Sequence, residues 1–268
     1  AHTTVGAVAT APIAITEGFE HLDWLRHIAS PGADWELYLA LLLAGLLFAL
    51  GLWTRVAGLA LAALHVVFAA RQPYVMSGWA QLYPAFVVYL ALAPSGQAWS
   101  VDACLRRRKD PTHRAPNTFS PWALRLLQVH VIAMYATAGW PRFAAKAWLH
   151  GETVLHAAAD TRFGRWGLDW HALQPLLAAA TYYALLIEPA ATILLPLRLT
   201  RRWCALGLLA LHLGIELVAD VGMWQFMMAG AVCAFLPDAW FRWLPGLGKH
   251  ESTPASAASG ETAGETAN

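Results

Sequence analysis

Ionisable side chains inside apolar segments are the groups of this sequence that could do chemistry. His212 and Glu216 lie four residues apart in the stretch LLALHLGIELV, a spacing that places both on one face of a helix. If the two side chains meet, the carboxylate fixes the tautomer of the imidazole ring. Glu188 lies inside a second apolar stretch and is followed by Pro189, which kinks a helix because proline has no N–H to donate. These groups are candidates for proton transfer, with polar contacts between helices as an equal alternative.

The remaining candidates carry less chemical information. His65 and His130 each stand alone in an apolar stretch, where a histidine is more often a hydrogen-bonded packing residue than a functional group. The His212 and Glu216 spacing resembles half of a helical metal motif, but no second pair of that form exists in the chain. The sequence therefore predicts no metal site. We also suggest, from the predicted topology alone, that Asp220 and Arg142 form an ion pair on the outward-facing side.

The composition indicates which kind of protein must position these groups. Of the 268 residues, 58% are hydrophobic and 13% are charged, and the mean hydropathy is +0.45. The charged share is about half that of a soluble domain, so too few polar side chains remain to cover a water-exposed surface. The sequence predicts an integral membrane protein, with membrane lipids rather than nucleic acid as its surroundings.

Seven apolar runs follow residue 34, and a membrane-spanning helix needs about 20 such residues. The second, third and seventh runs are shorter than this, so they would span only with help from tilt or flanking aromatic residues. The sequence predicts an all-α, polytopic transmembrane bundle of about seven spans. The runs cover residues 36–53, 56–70, 79–94, 121–140, 176–197, a stretch from 203, and 221–236.

The basic residues predict the orientation of these spans. With seven spans, eleven of the 18 Lys and Arg residues fall on one side and six on the other. The side richer in Lys and Arg is expected in the cytoplasm. We therefore predict an outward N-terminal segment with a short interfacial helix (1–34), a transmembrane domain (35–243) and a disordered cytoplasmic tail (244–268). The long loop 141–174 then faces outward, and its many tryptophans predict either interfacial helices or the rim of an outward cavity.

Short motifs along the chain resemble one family. The motif "AG, two residues, basic, apolar, five residues to W, two residues, G" is formed by Ala138, Gly139, Arg142, Phe143, Trp148 and Gly151. Five further motifs follow the family's order along the chain: RQP at 71–73, WSVD at 99–102, LHLG at 211–214, VGM at 221–223 and FLP at 235–237. Together they resemble the HTTM family, the membrane domain of vitamin K-dependent gamma-carboxylases and of their bacterial relatives. The resemblance covers about residues 35–243 and implies a location in a bacterial inner membrane.

Two working positions depart from the family's carboxylases. The resemblance implies that a lysine in the AG motif is the base toward vitamin K hydroquinone, and the matching residue here is Arg142, which does not readily give up a proton. Trp79 stands where the carboxylases have a histidine. Glutamate carboxylation is therefore not expected.

Two hypotheses remain. In the first, an outward-facing aromatic cavity binds a lipophilic ligand such as a quinone or an isoprenoid. Its predicted ligand-binding residues are Trp79, His130, Trp140 and Trp148, and its predicted catalytic residues are His212, Glu216, Glu188 and Arg142. In the second, the chain is a non-catalytic accessory subunit of a larger membrane protein complex. The sequence leaves open whether the protein is an enzyme and identifies no cofactor beyond a quinone or lipid.

Overall fold

A computed structural model of the chain describes residues 34–71, 79–112, 121–161 and 163–241. The predicted interfacial helix near the N-terminus and the predicted disordered tail lie outside the described residues. In chain order the helices are α1 (Asp34–Leu50), α2 (Thr54–Arg71), α3 (Trp79–Leu92), α4 (Val101–Lys109), α5 (Trp122–Gly139), α6 (Lys146–Leu149), α7 (Thr153–Ala159), α8 (Gln174–Leu194), α9 (Arg201–Val218) and α10 (Trp224–Cys233). Four short 3₁₀ turns join them, at Ser95–Gln97, Trp140–Ala144, Trp170–Leu173 and Asp238–Phe241, the last in a separate unit from Asp238 onward.

The predicted helical class is confirmed. The described part is all helical apart from one isolated β-bridge between Gly164 and Ala219. Each of the seven apolar runs contains a helix, namely α1, α2, α3, α5, α8, α9 and α10. Within the described ranges, one helical stretch, Trp170–Leu194, is long and apolar enough to cross a membrane on its own. The count of seven spans stays a prediction.

A turn at Asp220 separates the last two helices. The Asp220 carboxylate accepts a hydrogen bond from the Gly222 N–H at 3.1 Å, and Gly222 adopts a left-handed φ of +69°. A glycine takes this conformation without the steric cost that a side chain would add. The chain therefore ends α9 at Val218 and begins α10 at Trp224, as expected for two helices rather than one.

Two apolar clusters hold the helices together, and α3 contributes to both. Ala44, Leu61, Ala62 and Val87 join α1, α2 and α3. A larger cluster joins α3, α5, α8, α9 and α10, and its most buried side chains include Val131, Leu195, Leu208, Met228 and Val232. Small and branched side chains dominate both clusters, which lets the helix axes approach closely.

Asp102 at the start of α4 fixes the turn between α1 and α2. Its carboxylate accepts hydrogen bonds from the backbone N–H groups of Trp53 and Thr54, both at 2.9 Å, and from the Thr54 hydroxyl at 2.8 Å. These donors belong to the first turn of α2 and to the residue before it, so Asp102 caps that helix from a distance in sequence. Burial raises the pKa of Asp102, but the three hydrogen bonds and the nearby charge of Arg106 outweigh it, and the pKa ends below its ordinary value.

The predicted outer loop is a packed layer rather than a free connection. The Thr181 hydroxyl of α8 accepts a hydrogen bond from the Val154 N–H at 3.1 Å, at the start of α7. The Tyr182 hydroxyl donates to the Leu149 carbonyl at 3.2 Å. Trp170 is buried in a small cluster with Leu155 and other residues of α7 and α8. These contacts hold the residues after α5 against α8, where the ionisable groups of the two segments meet.

Candidate functional site

A buried ion pair joins the AG motif to the kinked helix. Arg142 lies on the 3₁₀ turn after α5, and its Nη1 atom is 2.6 Å from Oε2 of Glu188 in α8. The Glu188 side chain is 8% exposed and the Arg142 side chain 23% exposed. A carboxylate so far from water needs a partner of opposite charge, and the guanidinium supplies it.

Gly139 explains why the two segments come this close. A Cβ atom at this position would lie 2.9 Å from the Pro189 nitrogen and 3.2 Å from the Glu188 carbonyl carbon. Only a residue without a side chain lets the end of α5 contact the backbone of α8 here. The turn that follows Gly139 then carries Arg142 onto the Glu188 carboxylate.

An indole ring covers one face of the guanidinium, whose edge contacts Glu188. Cζ of Arg142 lies 4.3 Å from the ring centroid of Trp148 in α6, within the range of a cation–π contact. Trp140 is instead 52% exposed, and its ring centroid lies 6.2 Å from that of Phe143. Of these tryptophans, Trp148 is therefore the one that the structure places at the ion pair.

His212 forms a second buried polar group that joins three helices. Its Nε2 atom lies 2.8 Å from the Tyr135 hydroxyl of α5, and its Nδ1 atom is hydrogen bonded to Oε1 of Gln225 in α10. An amide oxygen only accepts, so Nδ1 carries the proton, and in the neutral ring Nε2 accepts from the tyrosine O–H. All three side chains are less than 5% exposed.

The ion pair and the His212 group share helix α5. Tyr135 of the His212 group lies on α5, and the end of α5 at Gly139 contacts the backbone of Glu188 and Pro189. Tyr135 also precedes Gly139 by one helical turn on α5. The arrangement therefore brings a carboxylate, a guanidinium, a phenol and an imidazole together between α5, α8, α9 and α10.

His212 and Glu216, the best candidate pair, do not meet. Glu216 forms an ion pair with Arg165 of the loop between α7 and α8, and Asp220 Oδ1 lies 4.0 Å from the same guanidinium. Gln225 and Tyr135 occupy both nitrogens of the His212 ring. Both side chains lie on one face of α9, but partners from other segments bind each of them. The suggested pairing of Arg142 with Asp220 is wrong, since Arg142 binds Glu188 instead.

The other predicted ligand-binding residues do not gather at this site. His130 of α5 packs against α3, with Nδ1 3.1 Å from the Tyr89 hydroxyl and its ring edge-on to Phe86. Trp79 begins α3, and its side chain lies outside what the structure describes. One cavity of about 330 Å³ lies in the outer loop, and Trp166 and Trp170 are part of its wall. The wall of this cavity does not include Trp140, Trp148 or His130.

Sequence reasoning missed Gln225 altogether. Gln225 is a lone amide inside the apolar run WQFMMAGAVC, so its type and place could have drawn attention to it. An uncharged polar side chain inside a membrane segment needs a partner as a charged one does, although the cost of leaving it alone is smaller. Tyr135 could be noted from its place near His130, but nothing in the sequence assigns it to His212.

Comparison with known protein families decides the affiliation of the chain. The family model of the HTTM domain matches residues 15–240, most of the chain. The chain belongs to the HTTM domain family. No curated protein and no solved structure matches the chain. The match begins about 20 residues before the region identified from the motifs, and it includes the AG segment, Glu188 and His212.

Membership of the HTTM family makes this a membrane protein of the gamma-carboxylase-like group. In this HTTM protein the AG motif has a structural reason, because Gly139 lets α5 contact α8. The basic residue of the motif points at a buried carboxylate rather than into solvent. The WSVD motif likewise has a structural reason, because its aspartate, Asp102, caps α2.

Proposed function

We propose that this HTTM protein binds a lipophilic, oxygen-bearing ligand beside the Arg142 and Glu188 pair and transfers a proton there. The ligand is of the quinone or isoprenoid class. One observation carries the proposal: a buried ion pair lies beside the point where Gly139 of α5 contacts α8, and a buried Tyr135–His212–Gln225 group begins one helical turn earlier on α5. Charged side chains inside a membrane cost about 2.5–3.5 kcal/mol each on insertion scales, and those that occur there often serve function.

The proposed roles follow from donor and acceptor chemistry. Arg142 stays protonated, so it donates hydrogen bonds to a ligand oxygen that gains negative charge. When its contact with Arg142 opens, the Glu188 carboxylate accepts the proton that the O–H group of the ligand loses, and the ligand oxygen keeps the negative charge. The Trp148 ring keeps the guanidinium in place. His212 and Tyr135 form the polar path away from this acid. Glu216 pairs with Arg165 instead and takes no part in the proposed binding.

The bilayer arrangement that we propose has about seven spans and a cytoplasmic C-terminus, in a bacterial inner membrane. Helices at all seven apolar runs and the eleven-to-six division of basic residues support it. Single cysteines in a background without the three native thiols test it. A Lys146→Cys variant should react with a membrane-impermeant maleimide from outside intact cells. A Lys109→Cys variant should react only after lysis, and the reverse pattern would contradict the topology.

Ligand binding is tested on the purified protein in lipid nanodiscs. A short-chain ubiquinone analogue should quench the tryptophan fluorescence saturably, because Trp148 lies at the site. Glu188→Gln and Arg142→Gln should each weaken binding about tenfold, the equivalent of one lost charge-assisted hydrogen bond. Glu216→Gln is the matched control and should bind as the wild type does. Equal affinities in all four proteins would refute the proposal.

A specific observation favours a second function, that of a non-catalytic accessory subunit. The described polar groups of the site find partners within the chain, as purely structural contacts between helices would require. Large apolar side chains such as Trp203, which is 64% exposed, would then contact a partner's helices. Native mass spectrometry after mild detergent extraction separates the two functions. A chain that always runs alone contradicts the subunit function, and a constant partner together with no ligand binding supports it.

A further inference from the structure

A cavity on the opposite side of α10 from His212 is larger than any recess described above. It lies between α1, α2, α3 and α10 and has a volume of about 670 Å³. This volume is in the range of sites that bind small molecules, about 300–1,000 Å³. On α10, Phe226 and Met227 line the cavity, whereas the neighbouring Gln225 binds His212. The cavity is therefore separate from the proposed proton-transfer site.

The mouth of the cavity lies among side chains that face lipid. Leu42, Leu46 and Phe226 line it, and they are 50%, 56% and 59% exposed. In a membrane family, exposed apolar side chains on long apolar helices contact acyl chains rather than water. A molecule would thus enter sideways from the bilayer, which selects for a lipophilic one.

Two polar side chains stand out in this apolar wall. His65 of α2 is 3% exposed, and its ring centroid lies 4.9 Å from that of Tyr83 on α3. Both residues line the cavity, and among the residues that the structure describes no Arg, Lys, Asp or Glu lines it. An imidazole and a phenol can together donate to and accept from one hydroxyl oxygen. A carboxylate head would bring a charge into apolar surroundings with no permanent cation to balance it.

We propose that this cavity binds a single-chain lipid with an uncharged hydroxyl head, of the long-chain or isoprenoid alcohol class. The chain lies along Leu42, Leu46 and Phe226, and the hydroxyl lies at His65 and Tyr83. This inference does not depend on the proposed function, because it uses none of the residues around Glu188.

Gly45 supplies a variant that fills the cavity. It lines the cavity, and a Cβ atom there would meet only Leu61, at 3.8 Å, which is ordinary van der Waals contact. A Gly45→Leu side chain is therefore tolerated and occupies the space of the ligand chain. Gly230 on α10 is the matched control, because a Cβ atom there meets nothing within 4 Å and the residue does not line the cavity.

The experiment uses a photoreactive hexadecanol analogue with the full chain in nanodiscs, and peptide mass spectrometry locates the labelled residues. In the wild type, label should appear on α1 and α10, and hexadecanol should compete far better than hexadecane or palmitate. Gly45→Leu should reduce labelling at least about tenfold, and Gly230→Leu should leave it unchanged. His65→Leu should remove the preference for the alcohol over the alkane, about tenfold for a lost buried hydrogen bond.

Three results would overturn the proposal. Equal labelling of Gly45→Leu and wild type would mean that the label reports bulk lipid around the helices. Equal competition by hexadecane would mean that the polar end recognises nothing. Stronger competition by palmitate would mean that the cavity prefers a lipid with a charged head to one with an uncharged head. Each of these results can occur while Glu188→Gln still weakens quinone binding, so the two proposals fail separately.

Discussion

Removal of the Arg142 charge should destabilise the protein far more than removal of an exposed arginine. The 2.6 Å distance joins edge atoms of two delocalised groups, so the charge centres lie about 4 Å apart. At an effective dielectric constant of about 20, charges at that separation attract by about 4 kcal/mol. Arg142→Gln leaves Glu188 buried without a cation, and we expect a loss of about 3 kcal/mol in the free energy of unfolding. Glu188→Gln should cost about 2 kcal/mol, because the remaining guanidinium is partly hydrated and stacked on Trp148.

A double-mutant cycle isolates the interaction itself. The variant with both changes should be no less stable than Arg142→Gln alone, which gives a coupling energy of about 2 kcal/mol. The assay is unfolding by SDS from mild detergent micelles, followed by tryptophan fluorescence. The pair Arg165 and Glu216, whose side chains are 33% and 18% exposed, is the control and should couple by less than about 1 kcal/mol. A coupling below about 0.5 kcal/mol between Arg142 and Glu188 would refute the view that each stabilises the other's buried charge.

Three further predictions use the same unfolding assay. Asp102→Asn should cost about 1 kcal/mol through the weakened cap. The folded state lowers the pKa of Asp102 from 3.8, so the wild type should be more stable than Asp102→Asn by the full amount above that pH, and the difference should vanish as the pH falls below it. A difference in stability that is independent of pH would contradict this. Tyr135→Phe should cost about 1–3 kcal/mol because His212 loses a buried partner, and an unchanged stability would mean that the contact is dispensable. Gly139→Ala should cost about 1–3 kcal/mol through the clash with α8. Gly214 has open space around it, so the control Gly214→Ala should stabilise α9 by up to about 1 kcal/mol. Equal effects of the two substitutions would exclude the clash.

Composition was sufficient to predict seven of the ten described helices, because apolar runs reflect burial or lipid contact directly. The seven runs correspond to α1, α2, α3, α5, α8, α9 and α10. The turn at Asp220 was also predictable, since a charged residue two positions before a glycine interrupts the apolar run. The length criterion explains why the spans are less certain than the helices. Several helices are shorter than a bilayer is thick, and one sequence cannot show how neighbours or lipids compensate.

Side-chain partners were not predictable to the same extent. Glu188 and Arg142 were both candidates, but their contact depends on the close approach at Gly139, which is a property of the packed helices. The spacing of His212 and Glu216 suggested a pair within one helix, and the contacts from other helices prevailed. A spacing rule applies to an isolated helix, whereas in a bundle each face meets a different neighbour.

The bonds of Asp102 also bear on how the chain assembles during translation. Asp102 closes the turn between α1 and α2 across about 50 residues, and the apolar cluster of α1, α2 and α3 lies entirely before it in the chain. Once α4 has left the ribosome, this cluster and its closing cap can form while α5 is still being synthesised. The helices that carry Arg142, Glu188 and His212 then pack against this preformed half. A defect in the cap should therefore prevent the site from assembling and lower the yield of folded protein.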